Sequence, residues 1–271
     1  MHRENDADPP EITGKTRVLG ILAHPTEHVK APPLINRIAR QRARDAVMVP
    51  FNVAPEDLAG LVAALRTVRS FDGSIVTVPH KQAILALCDE ISPQARAVGA
   101  ANVIRLGADG RITGAQLDGI GFINGLRHEG IDVAGKAVHL TGAGGAASAI
   151  AFAVCEAGAR RLTLNNRSLA KIERLRDKLA DMFADADVRL GSADPAGHDI
   201  VINGTTLGMR PGDALPVDVS RLSPDMVVAE VVMDPEITPL LAAARTAGCR
   251  VHLGRHMLDQ QLQLMADFLG L

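Results

Sequence analysis

The sequence predicts an α/β protein of two domains with parallel strands, and three observations carry that expectation. From Thr16 onward, short apolar runs alternate with longer amphipathic ones, the pattern of strands covered on both faces by helices. The stretch 136–149, Lys-Ala-Val-His-Leu-Thr-Gly-Ala-Gly-Gly-Ala-Ala-Ser-Ala, reads as a buried strand, a tight glycine turn and a helix start, and a further strand, 161–165, follows at βαβ distance. The alternation is complete on each side of about Asp118, and 271 residues suffice for two cores.

Taken in order, 17–22 is a strand, 33–41 a helix, 46–53 a strand, and 56–68 a helix opened by Pro55. Strand 73–78 is halted by Pro79, and a helix is expected over 81–88. The runs 99–105 and 111–115 flank Ala108-Asp-Gly110, a hairpin signal. Asp118 reads as the acidic N-cap of a helix that leads through Gly130 to the glycine turn. Beyond it come strand 161–165, helix 169–183, strands 199–203 and 226–232, helix 238–247 and strand 250–253. The last helix, 257–269, has its apolar spacing interrupted by Gln260, Gln261 and Gln263. Residues 1–15 are charged, contain Pro9-Pro10 and lack periodicity, so they read as a disordered tail.

Composition narrows the function. The net charge is −2, aromatics make up 2% of the chain, and Trp and Tyr are absent. There is no basic field or stacking platform for nucleic acid, and no apolar run of membrane-spanning length. The expected partner is a small-molecule substrate, with no nucleic acid and no membrane, and the expected assembly is a monomer or homodimer. Cys88, Cys155 and Cys249 are odd in number and lie within apolar patterns, which reads as reduced core thiols and a cytoplasmic protein. His24, His28, His80 and His256 lack metal-ligand spacing, so no metal is expected.

The glycine turn points to a nucleotide. Gly142 suits backbone angles that a side chain forbids, Gly144 lets a pyrophosphate approach the main chain, and Ala147 lets the helix lie close to the sheet. The free N–H groups of the helix start favour phosphate. A lone G-x-G-x-x-A also fits a plain structural turn. The next strand ends in Asn165-Asn166-Arg167-Ser168 with Lys171 one turn on. The absence of a carboxylate there and the presence of two cations favour NADP over NAD; solvent-facing helix charges are the alternative. Two domains around such a turn imply a cleft, and a dehydrogenase needs a proton-moving group in it. Lys81, leaving a turn fixed by Pro79, fits that role, and Asp118 could hold it by a charge-assisted hydrogen bond. Taken singly, Lys81 is also a solvated charge and Asp118 a helix cap.

Several separated strings together resemble the shikimate and quinate dehydrogenases: Val76-Thr-Val-Pro-His-Lys81, Gly99-Ala-Ala-Asn102, Leu117-Asp-Gly-Ile-Gly-Phe122, Gly142-Ala-Gly-Gly145, Asn166-Arg-Ser168, Ile202-Asn-Gly-Thr-Thr-Leu-Gly-Met209, Pro235-Glu-Ile-Thr-Pro-Leu240 and Gly254-Arg-His-Met-Leu258 with Gln261. They run in the family's order from Ala23 onward. The resemblance implies an N-terminal substrate domain over 16–117, completed by the C-terminal helix at 254–271, and a Rossmann-type NADP domain over 118–253. It implies NADP-dependent interconversion of a ring alcohol and ketone, with Lys81 and Asp118 as the catalytic pair and Thr77, Asn102 and Gln261 on the substrate hydroxyls. For the cofactor it implies Gly142, Ala143, Gly144, Gly145 and Ala146 at the phosphates and Asn166, Arg167, Ser168 and Lys171 at the 2′-phosphate. Asn203 and Thr205 match the turn beside the nicotinamide ribose, and Met209, Gly254 and Met257 match the nicotinamide end.

The chain departs from the family in one direction. Where the family carries two serines for the substrate carboxylate, Val29 and Ala31 stand, and Ile75, Gln116-Leu117 and Met233 replace further family residues. A buried carboxylate without its donors is disfavoured by several kcal/mol, on the order of 1–3 for each lost partner. The expectation is therefore a paralogue with retained redox machinery and a substrate other than shikimate, with Lys30 or His28 as replacement cations if an acid is bound. The alternatives are a genuine shikimate or quinate dehydrogenase and a non-catalytic binding paralogue.

Overall fold

The computed structural model describes residues 11–271. Residues 1–10 of the expected tail lie outside the described residues, and 11–15 are exposed coil and turn. Contacts divide the chain into two compact units, one of residues 11–91, Ala101–Gly114 and Met265–Leu271, the other of Ser92–Ala100 and Ala115–Leu264.

In the first unit, β1 (Arg17–Ala23) leads through α1 (Ala31–Gln41) to β2 (Ala46–Asn52), and α2 (Leu58–Leu65) leads to β3 (Phe71–Val76). After β4 (Glu90–Ile91) and a helix of the second unit, α3 (Pro93–Val98), β5 (Val103–Leu106) and β6 (Ile112–Ala115) complete a sheet of order β2-β1-β3-β5-β6-β4. Strands β1, β2 and β3 are parallel, and β5 runs antiparallel to β3. The core side chains Leu19, Leu22, Ile35, Met48, Ile84 and Ile104 are at most 2% exposed.

The second unit contains α4 (Asp118–His128), β7 (Ala137–Thr141), α5 (Gly145–Glu156), β8 (Arg161–Asn165), α6 (Leu169–Met182), β9 (Val188–Leu190), β10 (Ile200–Asn203), β11 (Val227–Glu230), α7 (Pro239–Thr246), β12 (Arg250–His252) and most of α8 (Gly254–Leu269). Its sheet is wholly parallel, in the order β12-β11-β10-β7-β8-β9. The winding reverses between β7 and β10, where an open α/β sheet offers a crevice at its carboxyl edge. Register brings Thr141, Asn165, Asn203 and Glu230, the last residues of β7, β8, β10 and β11, into line there.

Several expectations need correction. Residues 81–88 form a turn and a short 3₁₀ helix, Ala83–Leu87, because the Lys81 carbonyl accepts from Ala101 N (2.8 Å) while Leu85 N donates to Gln82 O (3.3 Å). The 56–68 helix is a 3₁₀ turn, Pro55–Asp57, followed by α2 alone. Only Val103 onward of 99–105 is strand. Helix α3 and strands β4 and β9 were not foreseen, although α3 carries plain signals: Ser92 Oγ accepts from Ala95 N, Pro93 opens the first turn, and Gly99 closes the helix at φ +73°. The unit boundaries also differ from 117/118 and 253/254. Helix α3 packs on α5, and the first turns of α8 lie against α4 and against Val231 and Val232 just after β11, so 92–100 and 254–264 group with the parallel sheet.

Cys88, Cys155 and Cys249 are free thiols, half-buried or buried. Burial pushes the Cys88 thiol up to about 11 and the Cys155 thiol up to about 12. No described helix is long and apolar enough to cross a membrane.

His252, at the end of β12, is 1% exposed and stacks on His256 with ring centroids 4.9 Å apart. Neither of its ring nitrogens has a hydrogen-bond partner among the described residues. Burial first, then the charges of His256 and Arg250, lowers its pKa from 6.5 to about 4. The unfolded chain therefore binds the proton more readily, and the stability linked to neutral His252 is full above about pH 6.5 and lost as pH falls toward 4. Denaturant titrations over that range should show a loss on the order of 3 kcal/mol from this group, and His252→Leu should flatten the profile.

Candidate active site

Thr77, Lys81 and Asn102 gather at the carboxyl end of the first unit's sheet. The turn after β3 is pinned on several sides: Thr77 N donates to Leu22 O (3.0 Å), His80 N to Thr77 O (2.8 Å) and Ala101 N to Lys81 O (2.8 Å). The His80 ring, 1% exposed, is bonded to Val53 O at 2.9 Å. Lys81 thus stands on a rigid turn, and His80, which has no role in the sequence reading, is one of its braces. Asn102 is buried, and its carbonyl accepts from Val76 N (2.8 Å). The loop after β1 leaves from the same end, held by His24 N donating to Val78 O (3.2 Å). It carries half-buried Val29 and exposed His28 and Lys30, and Ala31 begins α1.

In the second unit, Asp118 is the first residue of α4 and 4% exposed. It is not the N-cap: Leu117 holds that position, no side chain caps the helix, and Asp118 N instead donates to Gln116 Oε1 (2.9 Å). Its carboxylate accepts from Gln261 Nε2 of α8. Gly121 permits this meeting, since a Cβ there would lie 2.9 Å from the Gln261 Cβ. Asp118 and Gln261 therefore form one buried pair.

The glycine turn has the form a phosphate needs. Gly142 has φ +124°, and a Cβ on it would lie 2.9 Å from Gly204 O. Among the described residues, beyond the chain neighbours and the helix's own backbone, no heavy atom lies within 4 Å of a Cβ at Gly144 or Gly145. Helix α5 starts at Gly145 with no side-chain cap, so its first N–H groups, beside half-buried Ala143 and Ala146, are open to an anion. Ala147 is fully buried, 2.8 Å from a Cβ on Gly204. At the end of β8, Asn166 Nδ2 donates to Ser168 O (3.0 Å) and fixes the turn. Exposed Arg167 and Lys171 have no carboxylate partner among the described residues. These features fit a nucleotide with an extra phosphate on its ribose.

Asn203 and Thr205 are turned inward rather than toward a ligand. Thr205 N and Oγ1 donate to Asn203 Oδ1 (3.1 and 2.7 Å), and Leu207 N donates to Thr205 Oγ1 (3.0 Å). What this loop offers a cofactor is its backbone. Met209 is 52% exposed, whereas Met257 is 9% exposed and belongs to the core around β7 and α5. Gly254 is held against the Val232 carbonyl, which a Cβ would approach to 2.2 Å.

Comparison with known proteins agrees with these features. A family profile described as the shikimate dehydrogenase substrate binding domain matches residues 21–104. A shikimate dehydrogenase (NADP(+)) of Geobacter metallireducens is 39% identical over 259 residues, covering 93% of this chain and 90% of that protein. The chain belongs to the shikimate dehydrogenase family. A second relative so named, from Acidiphilium cryptum, is 39% identical over 250 residues, covering 92% and 89% of the two chains. Among solved structures, a shikimate dehydrogenase in complex with NADP+ superposes with TM-score 0.89 at 32% identity, covering 96% of this chain and 92% of that one. A 5-ketofructose reductase of Gluconobacter sp. strain CHM43 gives TM-score 0.89 at 30% identity, with 95% and 94% covered. As in the family, an N-terminal substrate domain precedes a Rossmann-type domain, and the chain is an oxidoreductase of the shikimate dehydrogenase kind.

One residue absent from the sequence reading holds the carboxyl edge of the Rossmann sheet together. Glu230 is fully buried. Asn203 Nδ2 donates to both of its carboxylate oxygens (3.0 Å each), Thr238 Oγ1 to Oε1 (2.9 Å) and Val232 N to Oε2 (3.3 Å). Burial raises its pKa against the opposing pull of these donors. Sequence alone gave a faint signal, an acid at the end of an otherwise apolar strand. Glu230→Ala would leave the Thr238 hydroxyl and the Val232 N–H without their acceptor, and the Asn203 Nδ2 with the Leu207 carbonyl alone (3.0 Å). Each orphaned group is expected to cost roughly 1–3 kcal/mol, readable as a lower midpoint in urea unfolding.

Proposed function

We propose that the protein is an NADP-dependent dehydrogenase interconverting a secondary alcohol on a ring or sugar with its ketone, and that its natural substrate lacks the carboxylate of shikimate. The observation that carries the substrate half is the pair Val29 and Ala31, apolar side chains where the family has carboxylate-binding serines. A relative of the same fold named as a 5-ketofructose reductase supports a substrate whose name carries no acid group.

Bound NADP supplies the hydride acceptor for the alcohol and, as NADPH, the donor for the ketone. The first N–H groups of α5 would hold its diphosphate, and Arg167 with Lys171 would hold its 2′-phosphate. Lys81 takes the proton from the substrate hydroxyl as hydride leaves the carbon and returns it in the reverse reaction. Asp118, whose carboxylate is held by Gln261 Nε2, is the acid of the catalytic pair that the family resemblance implies. Thr77 and Asn102 bind the neighbouring hydroxyls. A regulatory role without catalysis has less support, because a binding protein needs neither a braced lysine nor a buried acid to move a proton.

Lys81→Ala should lower kcat by roughly 10²–10⁴-fold while NADP binding, followed by fluorescence of the reduced cofactor, stays close to wild type. Arg167→Ala should weaken NADP about tenfold or more, the value of one charge-assisted contact, and leave NAD unaffected. Turnover assays pairing shikimate and quinate with neutral polyols and keto sugars test the substrate: efficient oxidation of shikimate or quinate would refute the uncharged-substrate reading.

A further inference from the structure

The end of the first sheet opposite Lys81 carries a second candidate site. A cavity of about 470 Å³ opens at the amino ends of β1 and β3, lined by four arginines, Arg17, Arg66, Arg69 and Arg105, and by one acidic residue, Asp72. Asp72 and Thr77 are the start and the far side of one strand, so by strand rise the cavity lies about 17 Å from the Thr77 end. Its apolar floor includes Phe71 and Leu269, 4% and 2% exposed. The volume suits a small metabolite.

The four arginines are not equivalent. Arg17 Nε donates to Asp72 Oδ1 and Oδ2 (3.1 and 3.0 Å), and its Nη1 to Arg69 O (2.8 Å). Arg66 binds Asp89 (2.7 Å) and the carbonyls of Gly110 and Leu87 (2.8 and 2.9 Å). Both are neutralised and fixed in place. Arg69 and Arg105 have no side-chain hydrogen bond or ion pair among the described residues. Arg105 lies against the chain's last turn, its Nη2 3.3 Å from where a Cβ on Gly270 would stand. Two arginines of the cavity wall are thus fixed by ion pairs, while two exposed ones that line the same cavity have no ion-pair partner among the described residues, on a chain whose net charge is −2.

We propose that this cavity binds a small metabolite carrying at least two anionic groups, phosphate or carboxylate, gripped by Arg69 and Arg105. The planar forks of two guanidiniums match such groups bidentately, and the apolar floor accommodates the carbon or ester bridge between them. The proposal is independent of the activity assigned above, since no lining residue belongs to the catalytic or nucleotide-binding set.

The test is titration calorimetry and thermal shift at low ionic strength with pyrophosphate and with citrate, comparing the intact protein, the double variant Arg69→Gln/Arg105→Gln and, as a control for the nucleotide site, the intact protein saturated with NADP. The expected result is saturable binding and a raised Tm in the intact protein with and without NADP, and at least tenfold weaker binding in the double variant. Preference for pyrophosphate over citrate would assign a phosphorylated ligand, and the reverse a polycarboxylate. Unchanged affinity in the double variant, loss of binding in the NADP-saturated protein, or no binding by the intact protein would each overturn the proposal. Arg69→Glu alone, at an exposed position, should also weaken binding and guards against a folding defect in the double variant.

Discussion

The closeness of three backbones at the carboxyl edge of the parallel sheet governs the Rossmann domain. Gly142, Gly204 and Ala147 approach within distances that leave no room for a larger side chain: a Cβ on Gly142 would lie 2.9 Å from the Gly204 carbonyl, and one on Gly204 2.8 Å from the Cβ of Ala147. That contact sets how near α5 can lie to β7 and β10, and so aims its uncapped N–H groups at the line formed by Thr141, Asn165 and Asn203. An uncapped helix terminus at this edge, of the kind that suits phosphate, follows from steric necessity.

Glu230 extends the same logic to the neighbouring strand. A buried carboxylate is tolerated only where its oxygens are satisfied, and here the donors come from β10, from the turn after β11 and from the cap of α7. Thr238 serves twice, donating to Glu230 while accepting from Leu241 N (3.2 Å) as the N-cap of that helix. The loops on either side are therefore fixed by one acid, and their backbones are presented without needing side chains of their own.

Much of this was legible in the sequence, and the limits have physical causes. The glycine turn, the hairpin at Gly110 and the parallel alternation rest on local rules, which the structure follows. The 81–88 helix failed because a long-range bond from Ala101 captures the Lys81 carbonyl, and no local pattern encodes that. Asp118 looked like a cap because it opens a helix, but Gln261, 143 residues further on, is its partner. Asn203 was expected at a turn facing the cofactor, while its inward bonding to Glu230 was hidden, since nothing in spacing connects positions 27 residues apart. Helix α3 was missed for a different reason: its Ser92, Pro93 and Gly99 signals were present, and the segment is only six residues long.

The thiols bear on how the purified protein behaves in solution. Cys88 and Cys155 ionise only at strongly alkaline pH, and Cys249, 7% exposed, gives its S–H to the Ser223 carbonyl (3.1 Å). At neutral pH the native chain presents almost no thiolate to oxidants or alkylating reagents, while the opened chain presents three. Slow capture of sulfur by an alkylating dye would then count excursions out of the folded state, using only side chains the protein already has.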